Sequence, residues 1–239
     1  MAIDSANGIA GRGPLVWDLP TRVLHWLFVL TLGAQYATGE AGGDWLVWHF
    51  RTGYLMMGLL TFRIIWGFVG PRHARFSSFI KGPGSTLAYL RQIHKAGQEA
   101  LHSVGHNPLG GLMVLGMIAL LSAQVVTGLF SSDGLSYYGP YSSTVSSDRS
   151  DQMTDWHGIV FNIIIAAAAL HILAVMYYTF IRKSPLVLAM FHGRKPRSHV
   201  PPDAGIEHSA LGRAVLVAII AAAVVFLVHQ GGTPPSPVQ

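Results

Sequence analysis

Four histidines lie where an apolar chain would ordinarily carry none. His25, His49, His157 and His171 fall within or at the ends of long apolar runs. A polar side chain there costs free energy and marks a functional position by default. His157 and His171 are 14 residues apart. On a helix that spacing leaves them about 40° from a common bearing and about 21 Å apart along the axis. This is most of a hydrocarbon core of about 30 Å. One helix therefore offers an imidazole to each leaflet. Residues 166–169, all alanine, leave room beside the helix between the two rings. A lone intramembrane histidine is more often a helix–helix hydrogen bond or a proton relay than a metal ligand. The joint pattern is what favours ligation.

The elements that must position these rings are visible in the composition. The chain has 239 residues, 51% apolar and 11% charged, against roughly 25% charged in an ordinary soluble domain. This excludes a disordered chain and argues against a soluble enzyme. The absence of cysteine excludes disulfides, thiolate metal sites, iron–sulfur clusters and thioether-attached haem. Five apolar runs are expected to span a bilayer: residues 24–39, 46–69, 109–130, 158–181 and 210–228. Each needs about 20 residues, which the first reaches only with Thr21 and Val23. Residues 1–14 are polar and lack a basic stretch ahead of an apolar one, so they do not read as a signal peptide. The expected fold class is all-α, an integral membrane helical bundle. No internal repeat is clear enough to argue from.

The charges orient the bundle. Of 16 basic residues, all but Arg51, Arg63 and Arg149 lie before span one, between spans two and three, or between spans four and five. The opposite connections hold Glu40, Asp44, Asp133, Asp148, Asp151 and Asp155. Basic loops stay in the cytoplasm, which puts the N-terminus inside and the C-terminus in the periplasm. The net charge of +5 is thus a topology signal, and no nucleic acid partner is expected. In the basic loop 71–105, residues 85–94 read as an amphipathic surface helix through Leu87, Leu90 and Ile93. The external loop 131–154 is the expected dock for a soluble partner, and residues 231–239 a short external tail. Gly110 and Gly116 suit helix contacts, which leaves a homodimer open.

With that topology the histidines sort into two pairs at matching depth. His49 and His157 lie on the external side, His25 and His171 on the cytoplasmic side. Two facing histidines are what a six-coordinate haem iron accepts axially. Two pairs therefore point to two stacked haems. Arg63 lies 14 residues after His49, on the ligand's face, where a buried guanidinium needs an anion such as a propionate. Gly39 lies 14 after His25 and Gly53 lies one turn after His49; either admits a porphyrin edge or serves helix packing. Arg22 either reaches a cytoplasmic propionate or anchors the span. His106, in Gly-His-Asn-Pro before span three, suits capping, a propionate contact or quinone binding. His73, His94, His102, His192, His199 and His208 are expected to be solvated, and His229 ends span five. Trp26 and Trp156, beside two of the candidate ligands, are interface anchors or haem-edge contacts.

These residues together resemble the bacterial cytochrome b561 family, in particular the b-type cytochrome subunit of nickel–iron hydrogenases and its free-standing relatives. The resemblance rests on Trp17-Asp18-Leu19-Pro20-Thr21-Arg22-Val23-Leu24-His25-Trp26, His49-Phe50-Arg51-Thr52-Gly53-Tyr54, Phe62-Arg63-Ile64-Ile65-Trp66-Gly67, Gly105-His106-Asn107-Pro108-Leu109-Gly110, His157 with His171, and Gly193-Arg194-Lys195. It implies a four-helix core over residues 15–195 binding two haem b groups through His25, His49, His157 and His171, with Arg22 and Arg63 near propionates. Residues 1–14 would be a cytoplasmic segment, and 196–239 a linker, fifth helix and tail. It further implies electron transfer in the bacterial inner membrane between quinone and a redox protein, such as cytochrome c or a hydrogenase. A proton-coupled transporter using histidine relays and a structural anchor are the alternatives from other classes. Whether the chain works as a component of a quinone oxidoreductase is left open.

Overall fold

A computed structural model describes residues 13–92, 103–134, 137–201 and 203–232. The N-terminal segment up to residue 12, Ile93 and His94 of the expected surface helix, Lys95, His102 and the tail from residue 233 lie outside the described residues. Five long helices carry the fold: α1 (Leu19–Ala41), α2 (Leu46–Val69), α5 (Pro108–Phe130), α6 (Ser147–Met176) and α8 (Leu211–Gly231). Short helices α3 (Phe76–Phe79), α4 (Pro83–Gln92) and α7 (Leu186–His192) fill the connections. A π-helical turn, Tyr177–Ile181, extends α6.

Among the described residues four segments are long and apolar enough to cross a membrane: Gly43–Val69, Pro108–Phe130, Ser147–Ile181 and Leu211–Gly231. The 23-residue α1 is not among them, because Arg22, His25, Gln35 and Glu40 dilute its apolar character. The outward faces are apolar: Leu30, Phe68, Leu173 and Leu227 are each about two-thirds exposed. Lipid, not water, suits such a surface.

Local chemistry sets the helix ends. Asp18 caps α1, its Oδ1 accepting from the Thr21 amide at 2.9 Å and its Oδ2 from the Thr21 hydroxyl at 2.7 Å. Pro20 in the first turn needs no donor there. The helix stops at Gly42 and Gly43, whose φ angles of 60° and 50° lie in the left-handed region that glycine enters without a Cβ clash. Asn107 caps α5, its Oδ1 accepting from the Gly110 amide at 2.6 Å. Gly193, at φ 82°, closes α7.

The chain divides into two compact units. The first comprises Met1–Val23, Trp66–Met113 and His171–Ala214. Val16, Trp17, Ala189 and Val200 form its core. A strap at residues 13–17 pairs with 193–195: the Val16 and Trp17 amides both donate to the Gly193 carbonyl, at 2.7 and 2.9 Å, and the Lys195 amide to Pro14. The Trp66 indole donates to Asp18 Oδ1 at 3.1 Å, so the buried cap also holds a distant segment. The second unit comprises Leu24–Ile65, Val114–Leu170 and Val215–Gln239. Its core is Met56, Leu60, Leu121, Val160 and the fully buried Ile164, with Phe28, Leu32 and Met117 against it.

Candidate functional site

In the second unit, two of the four candidate ligands face each other. The imidazoles of His49 on α2 and His157 on α6 have ring centres 6.1 Å apart and planes inclined at 72°. Both rings are held through Nδ1. His49 Nδ1 lies 3.1 Å from the Gln35 carbonyl oxygen and 3.4 Å from Thr38 Oγ1. His157 Nδ1 lies 3.1 Å from Thr127 Oγ1, and the ring also bonds the Gln124 backbone. Thr38 donates its proton to the Ala34 carbonyl at 2.6 Å, and Thr127 to the Ala123 carbonyl at 2.9 Å. A hydroxyl has one proton, and a carbonyl has none to give. Each Nδ1 is therefore the protonated nitrogen, and each Nε2 keeps its lone pair, the state in which imidazole binds a metal.

Two glycines complete the seats. A Cβ at Gly39 would stand 3.3 Å from His49 Cε1, and one at Gly128 only 2.9 Å from His157 Cε1. Gly39, expected beside a porphyrin edge or in helix packing, thus faces the His49 ring. The space beside Gly53 is taken by Gln35, whose Nε2 would lie 3.4 Å from a Cβ there. That amide donates to the His49 carbonyl and to Thr52 Oγ1, both at 2.9 Å. The matching amide oxygen on α5, Gln124 Oε1, is buried without a hydrogen-bond partner among the described residues.

Sequence analysis missed Gln35, Thr38, Gln124, Thr127 and Gly128. Their signal was a short internal repeat, Ala34-Gln35-Tyr36-Ala37-Thr38-Gly39 and Ala123-Gln124-Val125-Val126-Thr127-Gly128. The expectation of no usable repeat is corrected on this point. Six residues, only four of them shared, carry little weight until both copies are seen to hold the same kind of ring in the same way.

The pair fits haem. Two metal–nitrogen bonds of about 2 Å each, plus the two ring radii, come to about 6 Å between ring centres. Among the described residues no group of three or more His, Asp or Glu could hold a bare metal ion. A porphyrin supplies four nitrogens of its own and asks the protein for only the two axial positions.

The other candidate residues are distributed between the units. His25, half-buried, meets Trp26 edge-on at 5.3 Å and belongs to the second unit, whereas His171 belongs to the first. Arg63 in the second unit is buried within α2. Arg22 in the first donates to the Phe191 carbonyl at 2.5 Å. His106 does not cap α5, a task that falls to Asn107. Its ring lies between Trp17 and Phe79, with centres at 4.7 and 4.6 Å. His73 is not solvated as expected. It is buried, with Nε2 2.7 Å from the Ala204 carbonyl. Burial lowers its proton affinity below the usual histidine range, the Ala204 contact partly offsets this, and Arg72 and Lys195 lower it further. Lys195 is buried, donates to the Ser103 carbonyl at 3.0 Å, and is pushed down by burial to about 8.

A helical membrane protein that aligns two imidazoles at haem spacing, with no cysteine for covalent attachment, belongs to the class of membrane b-type cytochromes. Residues 16–193 match the family described as prokaryotic cytochrome b561. The chain belongs to that family, and its work is electron transfer in a bacterial membrane through haem b. It is 23% identical over 217 residues to the "Probable Ni/Fe-hydrogenase 1 B-type cytochrome subunit" of Escherichia coli (strain K12), covering 77% of this chain and 90% of that one. It is 24% identical over 219 residues to the "Probable Ni/Fe-hydrogenase B-type cytochrome subunit" of Rhizobium leguminosarum bv. viciae, covering 79% and 91%. The same description belongs to a Rhodobacter capsulatus protein, 24% identical over 212 residues and covering 75% and 80%. No solved structure matches the chain.

Proposed function

We propose that this chain carries electrons across the inner membrane between the quinone pool and a redox protein, using two haem b groups held by His49 with His157 and by His25 with His171. The observation that carries the reading is the 6.1 Å separation of the His49 and His157 rings, with both Nδ1 atoms committed to the helices behind them. Each haem supplies a one-electron couple at a fixed depth. The chain's own residues would orient the imidazoles that hold each haem, Arg63 and Arg22 would meet its propionates, and a core built on Met56, Leu121 and Ile164 would exclude water.

Five spans with the N-terminus inside follow from the basic loops. The relatives' descriptions support a hydrogenase as the partner. The half-buried His106, flanked by Trp17 and Phe79, supports a contact with either a propionate or a quinone.

The test is haem counting on purified protein and its variants. About two haems per chain are expected by pyridine haemochrome. His49→Ala and His157→Ala should lose the same redox component, and His25→Ala and His171→Ala the other. A haem-free protein from haem-replete cells, or His49→Ala and His157→Ala variants that lose different components, would overturn the reading.

A further inference from the structure

The two copies of Ala-Gln-x-x-Thr-Gly are placed alike, one near the end of α1 and one near the end of α5. Each presents the same three features to one imidazole. A threonine oxygen meets the ring at Nδ1, a glutamine carbonyl bonds the ring, and a glycine makes the space in which the ring lies. Both threonines are at least nine-tenths buried. In both copies the threonine proton is given to the alanine at the head of the motif, four residues back. That donation removes the threonine's own choice of role. Its oxygen is left as an acceptor aimed at the ring, and a rotated imidazole or the other tautomer would set a lone pair against it.

We infer that Thr38 and Thr127 are paired positioning residues that fix the tautomer and orientation of the two axial histidines and thereby set the potential of the haem they hold. This rests on the assignment of His49 and His157 as ligands. An acceptor behind Nδ1–H makes an imidazole a stronger donor to the metal through Nε2. A stronger axial donor favours ferric over ferrous iron, so the two threonines hold the potential down. The copies are not equal. Thr127 is the nearer oxygen to its ring, at 3.1 Å, whereas Thr38 stands at 3.4 Å behind the 3.1 Å contact of the Gln35 carbonyl. By its shorter distance Thr127 acts more strongly on its ring than Thr38 does on that of His49.

The experiment is a redox titration of the purified haem-loaded protein and of Thr127→Val, Thr38→Val, Thr127→Ser and Thr38→Ser, followed in the reduced haem absorbance. Valine keeps the shape and removes the oxygen; serine keeps the oxygen and removes a methyl. The component lost in His49→Ala should rise in potential in both valine variants, more in Thr127→Val, and return toward the parent in the serine variants. The other component should not move. If Thr127→Val fails to retain haem while Thr127→Ser retains it, the oxygen is needed to seat the ring and the inference stands. Unchanged potentials in the valine variants, equal shifts with serine and valine, or loss of haem in both would overturn it. A parent protein whose His49→Ala and His157→Ala variants keep both haems would overturn the ligand assignment instead.

Discussion

The two units use buried polar groups for opposite ends. In the second unit they converge on two side chains: Gln35, Thr38, Gln124 and Thr127 all serve the rings of His49 and His157. In the first unit they serve the backbone. Asp18 holds the start of α1 and the Trp66 indole, Lys195 holds the Ser103 carbonyl, and His73 holds the Ala204 carbonyl. The same physical need, that a buried polar atom find a partner, thus produces a mount for two imidazoles in one place and a clamp on chain segments in the other. Damage to these groups should read out accordingly, as altered haem binding for those around His49 and His157 and as altered stability for Asp18, Lys195 and His73.

The largest effect expected is at the ligands. Replacing either His49 or His157 by alanine should remove one haem component entirely while leaving helix content by circular dichroism unchanged. Loss of helix together with haem would erase the contrast between the units. The next effect distinguishes the two seats. Gly128→Ala puts a Cβ 2.9 Å from the His157 ring, against 3.3 Å for Gly39→Ala at His49. The first forces a ring to move and the second asks for a few tenths of an ångström. Gly128→Ala should weaken haem retention about tenfold, and Gly39→Ala measurably less, in a haem-transfer assay to an apo-acceptor. The reverse order would show that the seats are not defined by these contacts.

Asp18→Ala tests the clamp. It removes a helix cap, worth about 1 kcal/mol, and leaves the buried Trp66 indole without its carboxylate, worth about 1 to 3 kcal/mol. The Thr21 hydroxyl, 3.2 Å from the indole nitrogen, recovers part of the second loss. Thermal unfolding in detergent should fall by several degrees, with the potential of the haem at His49 and His157 unmoved. A shifted potential would mean that the Asp18 clamp is not merely structural.

Much of this was legible beforehand, for identifiable reasons. A transmembrane helix must hide its own backbone, so length and apolarity announce it. Four helices were readable on those grounds, and α1 was marginal because residues such as Gln35 are there for the site and not for the lipid. His49 and His157 stood out because an imidazole is expensive in an apolar run. The threonines behind them did not, because a threonine that bonds its own helix four residues back costs little in a membrane and has no distinctive pattern. His73 was misread as solvated for a related reason, and Lys195 was read only as a basic loop charge and part of a family motif. Their loops are polar in sequence, and only the fold shows that residues 103–105 and 204 close over them, with Gly105 so near that a Cβ there would stand 3.1 Å from His73 Nδ1.

The smallest effect expected concerns Lys195, and it sharpens the contrast through pH. Burial lowers its proton affinity from 10.5 to about 8. Between those values the unfolded chain carries the proton and the folded chain does not, so the unfolded state binds more protons and stability rises with pH across the window. Below about 8 both states are protonated and this contribution to the slope vanishes. The difference between the parent and Lys195→Met isolates the effect. The parent should gain a few degrees in unfolding temperature relative to the variant between pH 8 and 10, while Lys195→Met, which leaves the Ser103 carbonyl without its amine donor, shows a smaller pH-independent loss of about 1 kcal/mol. His73 loses its proton below the ordinary histidine range and does not contribute in this window. Parallel curves for the two proteins would mean that Lys195 keeps its proton when buried, and the Ser103 carbonyl would then be holding a full charge.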